Sequence, residues 1–142
     1  MAERDTPRRR DAFPRVVAMP LRWADVDRYG HVNNVTYLAW FDTVVNDTHI
    51  LNGFLRPGEP YFIVARTGCT YFAEVAYRDR IEVGLRVARL GTSSVTFELA
   101  VFGEGEVAAR AQGEFVHVLV GPKGGRPIPI EGAMRDYLEA LQ

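Results

Sequence analysis

Hydrophobic and polar positions follow two different periods along this chain, and the change of period divides it. Residues 81–90 set Ile81, Val83, Leu85 and Val87 against Glu82, Gly84, Arg86 and Ala88. Residues 94–102 repeat the pattern, with Val95, Phe97, Leu99 and Val101 against Ser94, Thr96, Glu98 and Ala100. A period of two marks strands with one buried face. Residues 61–71 and 106–120 read as two more strands. The alternation of the second slips near Phe115, which predicts a bulge or a strong bend. Glu104-Gly105 predicts a hairpin turn. Residues 15–23 read as a first strand, and Pro20, which lacks a backbone donor, puts it at a sheet edge or a bulge.

Residues 35–51 keep the helical period, but their apolar side chains do not stay on one face. Val35, Leu38, Ala39 and Val45 lie on one side, and Tyr37, Trp40, Phe41, Val44 and Leu51 cover much of the rest. A helix apolar nearly all round is expected in the middle of a fold. Asn33 or Asn34 suits its N-cap, and Asn52-Gly53 its stop. Residues 129–141 read as a short amphipathic helix with Met134, Tyr137, Leu138 and Leu141 as its stripe. The order is strand, long helix, four strands joined by short turns. That predicts an α+β domain in which an antiparallel meander wraps the helix. One sheet face is left over for a second copy to cover, or for the sheet to extend edge to edge.

Composition narrows this only a little. The chain has 142 residues, 47% hydrophobic and 25% charged, which suits one domain over residues 15–142. Residues 1–14 are charged, contain two prolines and are expected to form a flexible tail. The net charge of −1 gives no global attraction to nucleic acid or an anionic membrane. Arg8, Arg9 and Arg10 are expected to be a solvated cluster, with a phosphate contact as the sharper reading. No apolar run reaches the length of a membrane span, and residues 1–15 hold no apolar signal core. With Cys69 as its only cysteine, the chain is expected to be cytoplasmic.

The densest polar cluster lies between the first strand and the helix. Asp25, Asp27, His31, Asn33 and Asn34 fall within ten residues, and Tyr37, Trp40 and Phe41 follow at once. Polar groups at the mouth of a buried helix are costly to desolvate unless they have a task. The pattern Asp25-x-Asp27-x-x-Gly30-His31-Val32-Asn33-Asn34-x-x-Tyr37, between a strand and a buried helix, resembles the hotdog-fold acyl-CoA thioesterases of the 4-hydroxybenzoyl-CoA thioesterase type. Residues 31–40 are also similar to plant acyl-ACP thioesterases. The resemblance covers residues 15–138. It implies a hotdog fold, an antiparallel sheet wrapped around a long central helix. It also implies hydrolysis of an acyl-CoA or acyl-ACP thioester with no metal and no cofactor, coenzyme A being part of the substrate. The active site would lie at the subunit interface of a homodimer or homotetramer. In the hydroxybenzoyl-type enzymes the second aspartate of D-x-D is catalytic, which points to Asp27. In the plant enzymes a histidine four residues later is implicated, which points to His31. Those enzymes also use an asparagine two residues after the aspartate; Tyr29 stands there, so that part does not carry over. Many bacterial relatives have an acidic residue five positions after the helix tyrosine, and Asp42 follows Tyr37 by five.

For thioester hydrolysis, Asp27 suits a general base on water or a nucleophile that forms a mixed anhydride. The plainer readings are an Asx turn or a helix-cap aspartate, and a lone D-x-D would also suit a metal ligand. Asp25 is expected to brace the loop. Amides at the helix start near Asn34 suit a developing oxyanion. Gly30 lets the chain approach a substrate closely, or simply turns it. His31 either bonds a carboxylate or the leaving thiolate, or is an idle loop histidine. Asn33 and Asn34 hold the loop, one of them as the cap. Asp42, Asn46 and His49 form a polar line expected to line a pocket or face a partner subunit. Tyr37, Trp40 and Phe41 are core or acyl-pocket walls. Cys69 has no neighbour in sequence to lower its pKa and is not expected to be a nucleophile. The expected catalytic set is therefore Asp27, His31, Asn34 and Asp42, with Gly30, Asn33 and Tyr37 binding substrate. A hydratase of the same fold would carry motifs absent here. A non-catalytic acyl-CoA-binding or interaction subunit is the alternative from a different class.

Overall fold

The computed structural model describes residues 5–142. Its elements are β1 (Arg15–Met19), α1 (Asn34–Leu51), β2 (Tyr61–Tyr71), β3 (Ile81–Leu90), β4 (Ser94–Gly103), β5 (Ala111–Val120) and α2 (Gly132–Glu139). Five antiparallel strands form one sheet in the order β1-β3-β4-β5-β2. The inward residues of β3 and β4 are those of the alternating pattern: Val83, Leu85, Val87, Val95, Phe97, Leu99 and Val101 are all buried in one cluster with α1. This is the hotdog arrangement, α+β, with the sheet curved around a long helix.

The strand order corrects the expected four-strand meander. β3, β4 and β5 form one, but β2 pairs with β5 at the far edge and not with β3. Residues 72–80 must therefore cross from one side of the sheet to the other. The expected bulge near Phe115 also moves. β5 is regular along β4, and the irregularity lies in β2, where Val64 pairs His117 and Arg66 pairs Val116, leaving Ala65 extra. β1 is an edge strand, one of the two placements expected from Pro20, but it stops at Met19, before the proline; residues Trp23–Asp25 form a 3-10 turn.

Residues 106–110 do not extend β5. Instead Arg10 N–H donates to Val107 O (2.8 Å) and Ala109 N–H to Arg8 O (2.9 Å). The expected flexible tail, as far as it lies within the described residues, is thus laid against the sheet; residues 1–4 lie outside them. Phe13 covers Ala100, Phe102 and Ala109 in a second apolar cluster on the outer face. Each arginine of the basic cluster has an internal acid partner: Arg8 with Glu98 (2.7 Å), Arg9 with Asp11 (3.5 Å) and Arg10 with Glu82 (2.5 Å). Arg9 remains solvated as expected, whereas Arg8 and Arg10 clasp the described part of the tail to acids of the sheet.

α1 begins as expected, with Asn33 as N-cap: its side chain accepts from Val35 N–H (3.1 Å). It ends at Asn52, followed by Gly53 at φ +87°. Its environment differs from the expectation. Tyr37, Trp40, Phe41, Val44, Val45, Thr48 and His49 are buried, but Val35 is 65% and Leu51 66% exposed. The open sheet covers only one side of the helix in this chain. The expected polar line is split accordingly. Asp42 is exposed and half-exposed Asn46 donates to its Oδ1 (3.1 Å), while His49 turns into the core.

There His49 Nε2 faces His117 Nδ1 of β5 at 3.2 Å, and His49 Nδ1 bonds Tyr137 Oη of α2. The two imidazoles lie among Phe62, Phe97 and Phe115. Burial pushes both down from the ordinary value of 6.5, His49 to about 3, helped by the His117 charge, and His117 to about 4. The unfolded chain therefore takes up protons before the folded one does. Their contribution to stability is whole above about pH 6.5 and is lost as pH falls toward 4 and then 3. Urea denaturation should show the unfolding free energy declining through that window, with a shallower decline in His117→Phe.

Gly113 of β5 allows the closest approach of β2. A Cβ there would sit 2.0 Å from the carbonyl oxygen of Gly68 and 3.0 Å from the Phe41 ring. Gly113→Ala should lower the unfolding free energy by about 3 kcal/mol, the cost of overpacking a filled site, measured by the same denaturation.

Candidate active site

The polar cluster is held by two backbone devices. Asp25 is buried, and its carboxylate takes Arg22 N–H (2.8 Å) and the Arg22 guanidinium (2.8 Å to Nη2). The Arg22 hydrogen bond, first among the causes, keeps the Asp25 carboxyl below the usual carboxylate range. The Asp25 carbonyl also accepts from Asn33 N–H (2.8 Å), so the loop closes onto the start of α1. Asp25 braces, as expected.

Asp27 opens the next turn. Its Oδ1 accepts from Tyr29 N–H (2.8 Å) and His31 N–H (3.2 Å). The plain Asx-turn reading is thus correct as geometry. It does not consume the carboxylate, since Oδ2 has no hydrogen-bond partner among the described residues. Gly30 completes the turn at φ +81°, a conformation few side chains tolerate. Nothing lies within 4 Å of where its Cβ would be, so this face of the turn is open.

The turn is docked on the crossover 72–80. Val32 N–H donates to Val75 O (2.8 Å), Tyr77 N–H to Gly30 O (3.1 Å), and His31 bridges Ala76. The crossover is itself gripped by Arg110. The Arg110 carbonyl accepts from Phe72 and Ala73 N–H, and its Nη1 donates to Glu74 O (3.2 Å) and Asp79 Oδ2 (2.8 Å). Glu106 on Nη2 and Asp79 raise the already high pKa of this guanidinium.

Between the crossover and the helix start lies a cleft of about 270 Å³, lined by His31, Asn34, Tyr37, Tyr71 and Glu74 among others. His31 Nε2 stands 3.1 Å from Glu74 Oε2. Tyr71 Oη donates to Asn34 O (2.8 Å). Burial, then the neighbouring Cys69, pushes the Tyr71 hydroxyl up to about 12, so it stays a donor. Tyr37 is buried with its ring edge-on to Tyr71 (4.9 Å). At the helix start, Val35 N–H is taken by Asn33 Oδ1 and Thr36 N–H by Asn33 O (2.9 Å). Asn34 N–H has no acceptor among the described residues. Burial raises the Cys69 thiol to about 11, which leaves it un-ionised at neutral pH.

His31, Asn34 and Tyr37 therefore share one cleft, with Gly30 and Asn33 in the backbone that frames it. Asp27 is in the turn bonded to His31. Asp42 is not in the group: it lies eight residues beyond Asn34, about 12 Å along the helix, on the exposed side. Glu74, Tyr71 and Arg110 were not anticipated from sequence. Each sits in a strand or turn of ordinary pattern and gains its place only through pairing across the sheet. Among the described residues, no three of His, Cys, Asp or Glu are grouped as a metal ion would need. No helix among them is long and apolar enough to cross a membrane.

Comparison with known proteins agrees with this fold. Residues 21–138 match the family model described as the thioesterase-like superfamily. Among solved structures, the PA5185 protein of Pseudomonas aeruginosa strain PAO1 is 50% identical, with 96% of each chain covered and a TM-score of 0.91. A thioesterase from Thermus thermophilus, solved as a complex with coenzyme A and Zn, is 34% identical; 92% of this chain and 96% of that one are covered, at a TM-score of 0.75. The uncharacterized protein YsmA of Bacillus subtilis is 27% identical over 77 residues, 54% of this chain. That match spans 52%, about half, of YsmA.

Proposed function

This chain belongs to the thioesterase-like superfamily, and on that premise we propose that it hydrolyses acyl-CoA thioesters to the free acid and coenzyme A, without a metal or a further cofactor. One observation carries the proposal. Asp27 keeps a free Oδ2 in a turn bonded to His31, and His31 shares a cleft with the unpaired N–H of Asn34. Asp27 either takes a proton from the water that attacks the carbonyl carbon, or attacks that carbon itself. In the second course the thiolate leaves, and water then cleaves the mixed anhydride. In both, charge develops on the carbonyl oxygen, and the Asn34 amide at the positive end of α1 is the donor for it. His31, held by Glu74, is suited to protonate the departing thiolate. Asn33 holds the helix start, Gly30 keeps the turn open, and Tyr37 forms a wall of the acyl site. The coenzyme A complex of the Thermus relative supports coenzyme A over a carrier protein.

The reading includes a second copy. β2 is a sheet edge of eleven residues with Tyr61, Ile63, Val64 and Tyr71 exposed, an unstable arrangement for a chain alone. Pairing of β2 with the β2 of a second copy would satisfy the edge. Asp42, on the uncovered side of α1, is proposed to act at such an interface and not in its own cleft.

Thiol release from short, long and aromatic acyl-CoAs tests the activity. Asp27→Asn should reduce turnover by about a hundredfold or more, the scale of a lost general base, with unchanged thermal unfolding. Retained turnover would remove Asp27 from the chemistry, and binding without turnover in the wild type would favour a binding subunit. Sedimentation should give a dimer or tetramer, shifted toward monomer by Ile63→Lys.

A further inference from the structure

We propose that the surface formed by Trp23, Tyr77, Arg28 and Arg78 binds the adenosine-phosphate end of the coenzyme A carried by the substrate; this rests on the acyl-CoA reading above. The patch lies next to the active-site turn, since the backbone of Tyr77 donates to Gly30 O (3.1 Å). Trp23 is 69% exposed and meets Tyr77 edge to face at 5.0 Å. Tyr29, also largely exposed, projects from the same turn. Exposed aromatic rings clustered beside a reactive site offer faces on which a purine stacks.

The charges around these rings complement a nucleotide. Arg28 lies 5.0 Å from the Tyr29 ring centre and Arg78 lies 6.0 Å from that of Tyr77. Neither guanidinium has a carboxylate partner among the described residues. Arg78 is also held at φ +79°, a conformation unfavourable for any side chain but glycine. Strained residues of this kind gather at ligand clamps.

Tyr77 and Arg78 line a groove of about 720 Å³ together with Met19, Pro20 and Leu21. Its acids are already engaged: Asp79 with Arg110 (2.8 Å), Glu82 with Arg10 (2.5 Å) and Glu104 with Arg80 (3.7 Å). Arg78, which lines the groove, has no such partner among the described residues, and planar guanidinium groups suit phosphate oxygens. A carrier protein would bring a single phosphate and no purine, leaving the rings without an occupant. Coenzyme A brings both. Its pantetheine arm would span the interval between this patch and the cleft.

Two substrates with one acyl group, acyl-CoA and acyl-pantetheine, separate this site from the chemistry. In the double variant Arg28→Ala/Arg78→Ala, KM for acyl-CoA should rise about tenfold or more, the equivalent of one lost charge-assisted hydrogen bond, with kcat unchanged. Acyl-pantetheine kinetics should be unaffected. Calorimetric titration with adenosine 3′,5′-bisphosphate should show binding to the wild type, weakened in Trp23→Ala and in the double variant. An active wild type whose KM for acyl-CoA is unchanged in the double variant overturns the site and leaves the hydrolase reading intact. A wild type without turnover that still binds the bisphosphate, with loss in the variants, upholds the site and overturns hydrolysis. Absence of both overturns both.

Discussion

The backbone pairing of residues 30–32 with residues 75–77 is the constraint on which the rest of the site depends. Neither segment belongs to a named strand, yet the Val32, Gly30 and His31 contacts join them as a short antiparallel clasp. On one side the clasp sets the turn that carries Asp27. On the other it fixes the crossover that carries Glu74 and Tyr77. Arg110 anchors that crossover through its carbonyl and its guanidinium together. Val32 and Val75, both buried in the main core, pin the clasp from beneath, while the polar residues around them bury little apolar surface. Those polar residues are ordered by hydrogen bonds to a segment that is itself tied to the sheet.

The clasp exists because of the strand order. Sending β2 to the far edge obliges the chain to return across the end of the sheet to begin β3. That return passes the start of α1, where the helix N-terminus leaves donors unpaired. Asn33 takes up two of them and leaves Asn34 N–H. The cleft is thus made from a topological necessity and a helix end, with Tyr71 at the last position of β2 closing one wall. The same economy leaves costs elsewhere: an open β2 edge with exposed Tyr61, Ile63 and Val64, and an uncovered side of α1 that mixes Val35, Ile50 and Leu51 with Asp42 and Asp47.

The buried histidine pair shows how the other end of the helix is secured. His49, His117 and Tyr137 bring α1, β5 and α2 together through polar contacts inside an aromatic shell. Satisfied internally and kept neutral, such groups specify how three elements meet, and they make the fold sensitive to acid.

Much was legible from the residues alone. The alternation in residues 81–90 and 94–102, the cap at Asn33 and the stop at Gly53 depend on local physics: side-chain direction along a strand, an unpaired helix donor, a left-handed backbone. The resemblance of residues 25–37 to a known pattern marked the candidate site for the same reason, since its turn and cap residues are contiguous in the chain. What lay beyond reach was non-local. The place of β2, the bulge at Ala65 opposite β5, the pairing of residues 8–10 with 107–109, and the parting of His49 from Asp42 are decided by which segments meet. Periodicity reports that a residue has a buried face, not what buries it. Glu74, Tyr71 and Arg110 gain their positions from hydrogen bonds to residues 43, 37 and 36 places away. Only the closed sheet brings those partners within bonding distance.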